Sequence, residues 1–342
     1  MRDDMLTRDQ FREGVFARDG HRCVICGQPA ADAHHLIERR AWGESCGYLL
    51  DNGVSVCEPC HLAAEATTLS CEELRAAAKI TRVVLPGHLY ADQRYDKWTN
   101  PILDNGQRLR GELFDDESVQ KILAPVLHLF TNRVKYPRTF HLPWSPGILY
   151  DDRMLASLTP FEGQEVVVTA KCDGENTTMY RDYMHARSLE FTPHPSRDRV
   201  RALHGRLAHE IPENWRLCGE NLYAKHAIHY HHLAAHFLLF SVWDEKNICQ
   251  SWDDTVTYAG VLDLKTVPVL WRGKWDEALV RRLYQPKHED DECEGYVVRM
   301  ARAFHFREFR QVLGKYVRQG HVIQHGGHWA NRVVVPNELK GA

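Results

Sequence analysis

An α+β chain, with a small metal-stapled module ahead of a larger and mainly antiparallel sheet domain, is the fold class this sequence predicts. Three observations predict it. Four of the ten cysteines fall in two pairs, Cys23-Val24-Ile25-Cys26 and Cys57-Glu58-Pro59-Cys60, within the first 79 residues. From about residue 133 onward, short β-rich runs recur at 165–170, 215–218, 236–243, 294–300 and 311–317. Helical stretches lie between them, at 196–209 and 275–284.

The length of 342 residues leaves room for two or three modules, each with its own core. Acids (46) slightly exceed bases (43), for a net charge of −3. A polyanion would therefore be held by a local basic surface and not by the field of the whole protein. The opening Met1-Arg2-Asp3-Asp4 lacks the charged-then-apolar pattern of a signal peptide, and no apolar run approaches the length of a bilayer span. The expectation is a cytoplasmic protein with no membrane partner. Cys46, Cys71, Cys172, Cys218, Cys249 and Cys293 are scattered singly, a usage that fits a reducing compartment and one metal site. Nothing in the sequence sets an oligomeric state.

Taken in order, residues 1–79 hold both cysteine pairs and end in a helix over 70–79, where Ser70 and Glu73 have the spacing of a capping box. Residues 80–132 carry the turn signals Leu85-Pro86-Gly87 and Asp104-Asn105-Gly106. A helix candidate over 118–130, interrupted by Pro125, follows. This segment reads as a partly helical connector. Residues 133–342 form the sheet domain.

The cysteine pairs stand about thirty residues apart, a spacing that lets two knuckles converge on one tetrahedral Zn²⁺. Such an ion contributes folding energy directly in a small module. Between and after the knuckles come His34-His35, Asn52 and His61. Phosphodiester hydrolysis needs a base titrating near neutral pH and a Lewis acid, and neutral imidazoles serve for both. The order His, His, Asn, His inside a cysteine frame resembles the HNH endonuclease family and implies its ββα-metal module. The resemblance makes His35 the general base and puts His34 and His61 on a catalytic divalent metal. Asn52 belongs to that site too, fixing the loop and orienting the base. A zinc ribbon that only grips nucleic acid is the alternative, with Arg18, Arg22, Arg39 and Arg40 available to phosphates.

In the sheet domain, Lys171 ends an apolar run and is followed by Cys172-Asp173-Gly174-Glu175-Asn176. A lysine at such a strand end sits in a partly desolvated cleft where its amine can be neutral and nucleophilic. Then follow Cys218-Gly219-Glu220-Asn221, an aromatic strand over 236–243, Glu292-Cys293-Glu294-Gly295, and Leu313-Gly314-Lys315-Tyr316-Val317-Arg318. In this order they resemble nucleotidyl motifs I, III, IIIa, IV and V of the ATP-dependent ligase and RNA-capping superfamily. The resemblance is closest to RNA ligases of the RNA-editing-ligase and second phage RNA ligase type, and it covers about residues 133–330. Asn176, the stretches 135–145 and 219–230, and a tail with His321, His328 and Trp329 carry it further.

The resemblance implies an antiparallel-sheet nucleotidyltransferase domain that uses ATP and Mg²⁺ or Mn²⁺ to join RNA 5′-phosphate and 3′-hydroxyl ends, nicked or broken. Lys171 would attack the α-phosphorus of ATP and carry AMP. Lys315 would neutralise the phosphate, with Arg318 a second cation for RNA or pyrophosphate. Glu294 would face the metal, and Glu220 the ribose or a second metal. Asp173 and Gly174 would form the nucleotide turn, and Phe240, with Phe237 and Trp243 as rivals on the same element, would stack on adenine. Arg187 and Asn176 would meet the RNA 5′-phosphate side. The histidine-rich run His226, His229, His231, His232 and His236 reads as a solvated or RNA-facing loop, since its spacing suits no single metal geometry.

Only 27 residues follow Lys315, too few for the OB-fold that DNA ligases and capping enzymes carry after motif V, so no C-terminal OB-fold is expected. Motif V reads Gly-Lys-Tyr-Val-Arg in place of Lys-x-Lys, which leaves the second basic role open. Four readings stand: an RNA ligase fused to an HNH nuclease, a nuclease whose ligase-like half senses nucleotide or clamps RNA, a bifunctional device that cuts and then rejoins or defends against invading nucleic acid, and a ligase for nicks in DNA–RNA hybrids.

Overall fold

A computed structural model describes residues 5–131, 133–150, 152–189, 193–288, 290–320 and 333–341. It separates into two compact units, Met1–Asn132 and Arg133–Ala342. Met1 to Asp4, His321, His328 and Trp329 lie outside the described residues. Among the described residues no helix is long and apolar enough to cross a membrane. The ten cysteines form no disulfide.

The first unit opens with α1 (Arg8–Arg18), begun by a capping box between Thr7 and Gln10. Its buried face, Phe11 and Val15, lies against a hairpin of β1 (Asp32–His35) and β2 (Gly53–Val56), paired from Asp32↔Val56 to His35↔Gly53. Gly53 is required there, because a Cβ would stand 2.5 Å from the Phe11 ring. Cys57 caps α2 (Glu58–Glu65), with Pro59 in its first turn where a missing N–H costs nothing. The expected capping box opens α3 (Cys71–Ala77), which is three residues shorter than the sequence spacing suggests.

The segment expected as a partly helical connector is described over residues 80–131. It folds on the hairpin module inside the same unit, through the short pair β3 (Arg94–Tyr95) and β4 (Pro101–Ile102) and helix α4 (Glu117–Leu123). Trp98 donates its indole N–H to Glu65 O at 2.8 Å, and the buried Arg108 binds Thr67 and Asp96. Asp96 and Asn100, both buried, hydrogen-bond each other. Beyond α4 the chain tightens into a 3₁₀ turn over Ala124–Leu129, since Pro125 cannot continue the α-helical ladder.

The second unit has two main sheets. One is antiparallel, in the order β12 (Val269–Lys274), β5 (Glu165–Lys171), β15 (Gly295–Met300), β17 (Leu313–Val317). The other runs β16 (Phe304–His305), β10 (Ile248–Cys249), β9 (Phe237–Trp243), β8 (Arg216–Asn221), β6 (Glu175–Met179), β7 (Met184–His185), with β11 (Lys265–Thr266) beside β9 in the only parallel pairing among the described strands. A small hairpin, β13 (Lys287–His288) and β14 (Asp291–Glu292), precedes β15. The fold is therefore mixed α and β with antiparallel sheets.

Strand β5 is buried on both faces, which explains its unbroken Val166-Val167-Val168 run. Val166 and Val168 join Phe161, Trp243, Tyr296 and Phe309 in one core, while Val167 packs with Leu222, Ile228 and Trp252 in another. Helices α5 (Asp198–Leu207) and α6 (Trp252–Val261) close a third core with Leu217 and Leu239. The helix expected over 275–284 shrinks to α7 (Glu277–Val280), started by the Asp276 cap and ended as the chain leaves toward Pro286 and β13. Last comes α8 (Phe309–Val312), directly before β17.

Candidate active site

The second unit holds a cavity of about 620 Å³. Lys171, Gly174, Asn176, Arg187, Glu220, Phe240 and Lys315 all line it. Strand pairing explains the convergence. Lys171 ends β5 opposite Gly295, so Glu294, one residue earlier, reaches back to the lysine and pairs with it. Gly295 is the residue that allows this close packing, because a Cβ there would collide with the Tyr316 carbonyl of β17.

Opposing influences act on the charge of Lys171. Burial pushes its pKa down, but Glu294, then Glu220 and Asp173, outweigh burial and hold it above the ordinary lysine value. The resting lysine is an ammonium. Glu220 is buried beside Glu294 and Asp173, and burial first, then those like charges, push its carboxyl up to about 8 against the pull of Lys171. Its Oε1 accepts the Gly174 N–H at 3.2 Å.

Phe240 owes its position to a bulge. The β8–β9 register steps from Cys218↔Ser241 to Gly219↔Leu239, so Phe240 has no partner on β8 and its side chain turns to the cavity, edge-on to Tyr136. Phe237 lies under Gly219 and Trp243 packs in the core with Phe304 and Phe309; neither lines the cavity. Asn176 Oδ1 is buried with no hydrogen-bond partner, a polar atom aimed where a ligand would satisfy it.

Three assigned residues, Glu294, Asp173 and Arg318, are not among those lining the cavity. Asp173 accepts the N–H groups of Ala227 and Ile228, both at 2.7 Å, so its carboxylate shapes the turn after Lys171 and does not line the cavity. Arg318 pairs with Glu292 at 2.7 Å and is likewise outside the lining. The histidine-rich run is the loop that supplies those two N–H groups. His226 faces the cavity, whereas His229 and His231 sit within 4.8 Å of Glu338.

Sequence reasoning missed several wall residues. Glu175 and Arg197 form a two-pronged ion pair, and Arg138 lines the mouth. Asp152 meets Lys315 at 3.3 Å, and His141 stands 3.0 Å from Asp152. Burial, the leading influence on Lys315, and Lys171 lower its pKa in spite of Asp152.

In the first unit the four sulfurs of Cys23, Cys26, Cys57 and Cys60 lie within 4.8 Å of one another, with Cys26 3.4 Å from Cys57 and 3.8 Å from Cys60. Four thiolates about 2.3 Å from a tetrahedral Zn²⁺ stand about 3.8 Å apart, so the donor set fits that ion. A second cluster joins His34, His61 and Glu65. Glu65 was not anticipated, although its spacing four residues after His61 puts both on one face of α2. Lys97 also reaches this cluster, binding Glu65 at 3.1 Å, Glu38 at 3.2 Å and the His35 carbonyl at 3.3 Å.

Asn52, expected at the HNH-like site, is hydrogen-bonded into the loop. Its buried amide accepts the Ile37 N–H at 2.9 Å and donates to Ile37 O at 3.0 Å and Gly47 O at 3.1 Å. His35 stacks on Phe11 with centroids 4.5 Å apart. Burial and then Lys97 push its pKa down to about 4, below the near-neutral value expected of a general base.

No curated protein matches the chain. The chain is similar to structures of an RNA ligase from Naegleria gruberi. A variant with ATP and Mn is 16% identical with a TM-score of 0.40, over 56% of this chain and 58% of that one, so the chain spans less than two thirds of that ligase. An apo variant is 13% identical with a TM-score of 0.40, over 92% and 81%. The ligase with PPi is 17% identical with a TM-score of 0.37, over 69% and 79%. Residues 164–317, which include Lys171, Glu220, Phe240, Glu294 and Lys315, match the family model described as RNA ligase.

Proposed function

We propose that residues 133–342 form an ATP-dependent RNA ligase domain that seals 5′-phosphate and 3′-hydroxyl RNA ends through a lysyl-AMP intermediate. The observation that carries this is the meeting of Lys171, Glu220 and Lys315 at one cavity, with Glu294 paired to Lys171, inside a segment that matches the RNA ligase family. The Lys171 Nζ attacks the α-phosphorus of ATP; the N–P bond forms, the bond to pyrophosphate breaks and the amine gives up a proton. Lys315 offsets charge on the phosphate, Phe240 stacks on adenine, and Gly174 and Glu220 bound the nucleotide. Asn176 and Arg187 face the RNA end, and AMP passes to its 5′-phosphate before a 3′-hydroxyl displaces it.

The acidic cluster around Lys171 fits a divalent cation, Mg²⁺ or Mn²⁺, since Glu220 and Glu294 face each other's charge in a half-closed site. Such a cation draws the carboxylates from the lysine and lowers its pKa toward the nucleophilic form. Incubation with labelled ATP and Mg²⁺ is expected to label the protein, and Lys171→Ala to abolish the label. An unlabelled wild type, or an equally labelled variant, refutes the proposal. A panel of nicked RNA, DNA and hybrid substrates separates RNA sealing from hybrid or DNA sealing.

The first unit supports a second activity, metal-dependent cleavage of nucleic acid. Its Cys₄ set fits a structural Zn²⁺, and the grouping of His34 and His61 with Glu65 fits a second divalent ion. The partition we propose is a zinc-stapled HNH-like nuclease at 1–79, residues 80–132 as its support, and the ligase at 133–342. Cleavage that disappears in His34→Ala supports the nuclease; cleavage equal in the variant refutes it.

A further inference from the structure

Lys315 stands in an arrangement that the motif around it does not specify. The segment Phe140 to Leu142 runs beside it like an extra strand: Lys315 N–H donates to Phe140 O and Leu142 N–H to Lys315 O, both at 2.8 Å. His141 in turn grips the chain just after Asp152, accepting from Leu155 N–H at 2.8 Å and donating its own N–H to Arg153 O at 2.7 Å. The Asp152 carboxylate is thereby delivered to Lys315 through one oxygen, at 3.3 Å, and to His141 Nε2 through the other, at 3.0 Å.

The other ring nitrogen of His141 is engaged as well. Nδ1 is 2.7 Å from Ser145 Oγ, and that oxygen accepts the Val317 N–H at 2.9 Å. The hydroxyl keeps a second lone pair and also stands 3.5 Å from Val317 O, so it can meet either tautomer of His141; the neutral tautomer that holds Asp152 is the one with its proton on Nε2, 3.0 Å from the carboxylate. Both side chains are well buried, His141 at 1% exposure. A charged histidine would compete with Lys315 for Asp152. A neutral one holds the carboxylate and leaves its charge for the lysine.

We propose that Asp152 and His141 are positioning residues for Lys315: Asp152 fixes the ammonium at the cavity wall, and His141 fixes Asp152. This rests on the reading of Lys315 as the cation that meets the phosphate of ATP. The charged groups facing Lys315 are Asp152 and His141 from the preceding loop, Lys171 from β5 and Glu294 ahead of β15. Asp152 and Glu294 favour its proton, and burial and Lys171 oppose it. Removing the Asp152 charge therefore makes Lys315 lose its proton at lower pH.

Single-turnover formation of the protein–AMP adduct is measured against pH in the full chain. Asp152→Asn is expected to lower the rate by about tenfold, less than deletion of a direct charge-stabilising donor because it acts through Lys315. Its alkaline limb should move to lower pH with a small change in the ATP dependence, and Asp152→Glu should restore the limb. His141→Gln, which keeps an N–H toward Asp152, should approach wild type, whereas His141→Leu should follow Asp152→Asn. An unmoved alkaline limb in Asp152→Asn, or equal loss in both His141 variants, overturns the inference while leaving the ligase reading intact. If Asp152→Asn does not fold, the His141 pair decides alone. A wild type that forms no adduct fails the ligase reading and the inference with it.

Discussion

Replacing Asn52 with alanine separates the structural role assigned here from a role in metal binding. The amide makes three hydrogen bonds in a site only 1% exposed. Alanine removes all three. Gly47 O keeps the Leu49 N–H at 2.8 Å, but the N–H and the carbonyl of Ile37 each lose their side-chain partner. At about 1–3 kcal/mol for each buried group so stranded, the loss centres on about 4 kcal/mol. That is a large share of the roughly 5–15 kcal/mol that holds a domain folded. For a unit of this size it lowers the melting temperature by about 15 °C. Thermal unfolding of the full chain, with hydrogen exchange read on peptides spanning 32–56, measures it. If the variant melts with wild type but binds divalent cation less tightly, the assignment is wrong and Asn52 is a ligand.

Three further outcomes follow from the charges and the cysteine cluster. Glu294→Gln removes the strongest influence holding the Lys171 pKa up, so burial prevails and the pKa falls. Amine-directed labelling of Lys171, followed by peptide mapping without ATP or metal, should reach half its maximum at lower pH than in wild type; an unmoved profile contradicts this. Glu220 titrates near 8 in the folded chain against an ordinary value of 4.5, so folding retains a proton between those values and stability falls as pH rises through that window. Glu220→Gln should flatten this dependence in urea titrations run with chelator, and an unchanged slope counts against it. A chelator strong enough to strip Zn²⁺, or Cys57→Ser, should unfold the first unit, since a structural zinc contributes about 10–16 kcal/mol. Retained exchange protection with no metal released would refute the zinc assignment.

The legible parts of this protein were those that local chemistry writes into a short stretch of chain. CxxC spacing is a local signal, and the two pairs do meet. The valine run before Lys171 and the glycine after Glu294 mark strand ends, and the pairing of β5 with β15 joins them. What stayed hidden depends on groups far apart in sequence. Nothing near Lys171 indicates that Glu294, 123 residues away, holds its proton on. Lys97 lies 32 residues from Glu65 by chain and meets it only because residues 80–132 fold back on the hairpin module. Phe240 was reached by strand register, yet its exposure to the cavity comes from a bulge that alternation alone does not reveal. Glu65 is the exception: its spacing four residues after His61 was in plain view, and helical periodicity could have found it.

The central claim is that Lys171 becomes covalently bonded to AMP. Wild type and Lys171→Ala, each incubated with ATP and Mg²⁺, can be digested and the modified peptide sequenced by mass spectrometry. The account predicts one acid-labile AMP adduct, on Lys171, absent from the variant and reversed by pyrophosphate. An adduct on any other residue, or none in a wild type shown to bind ATP, would contradict it.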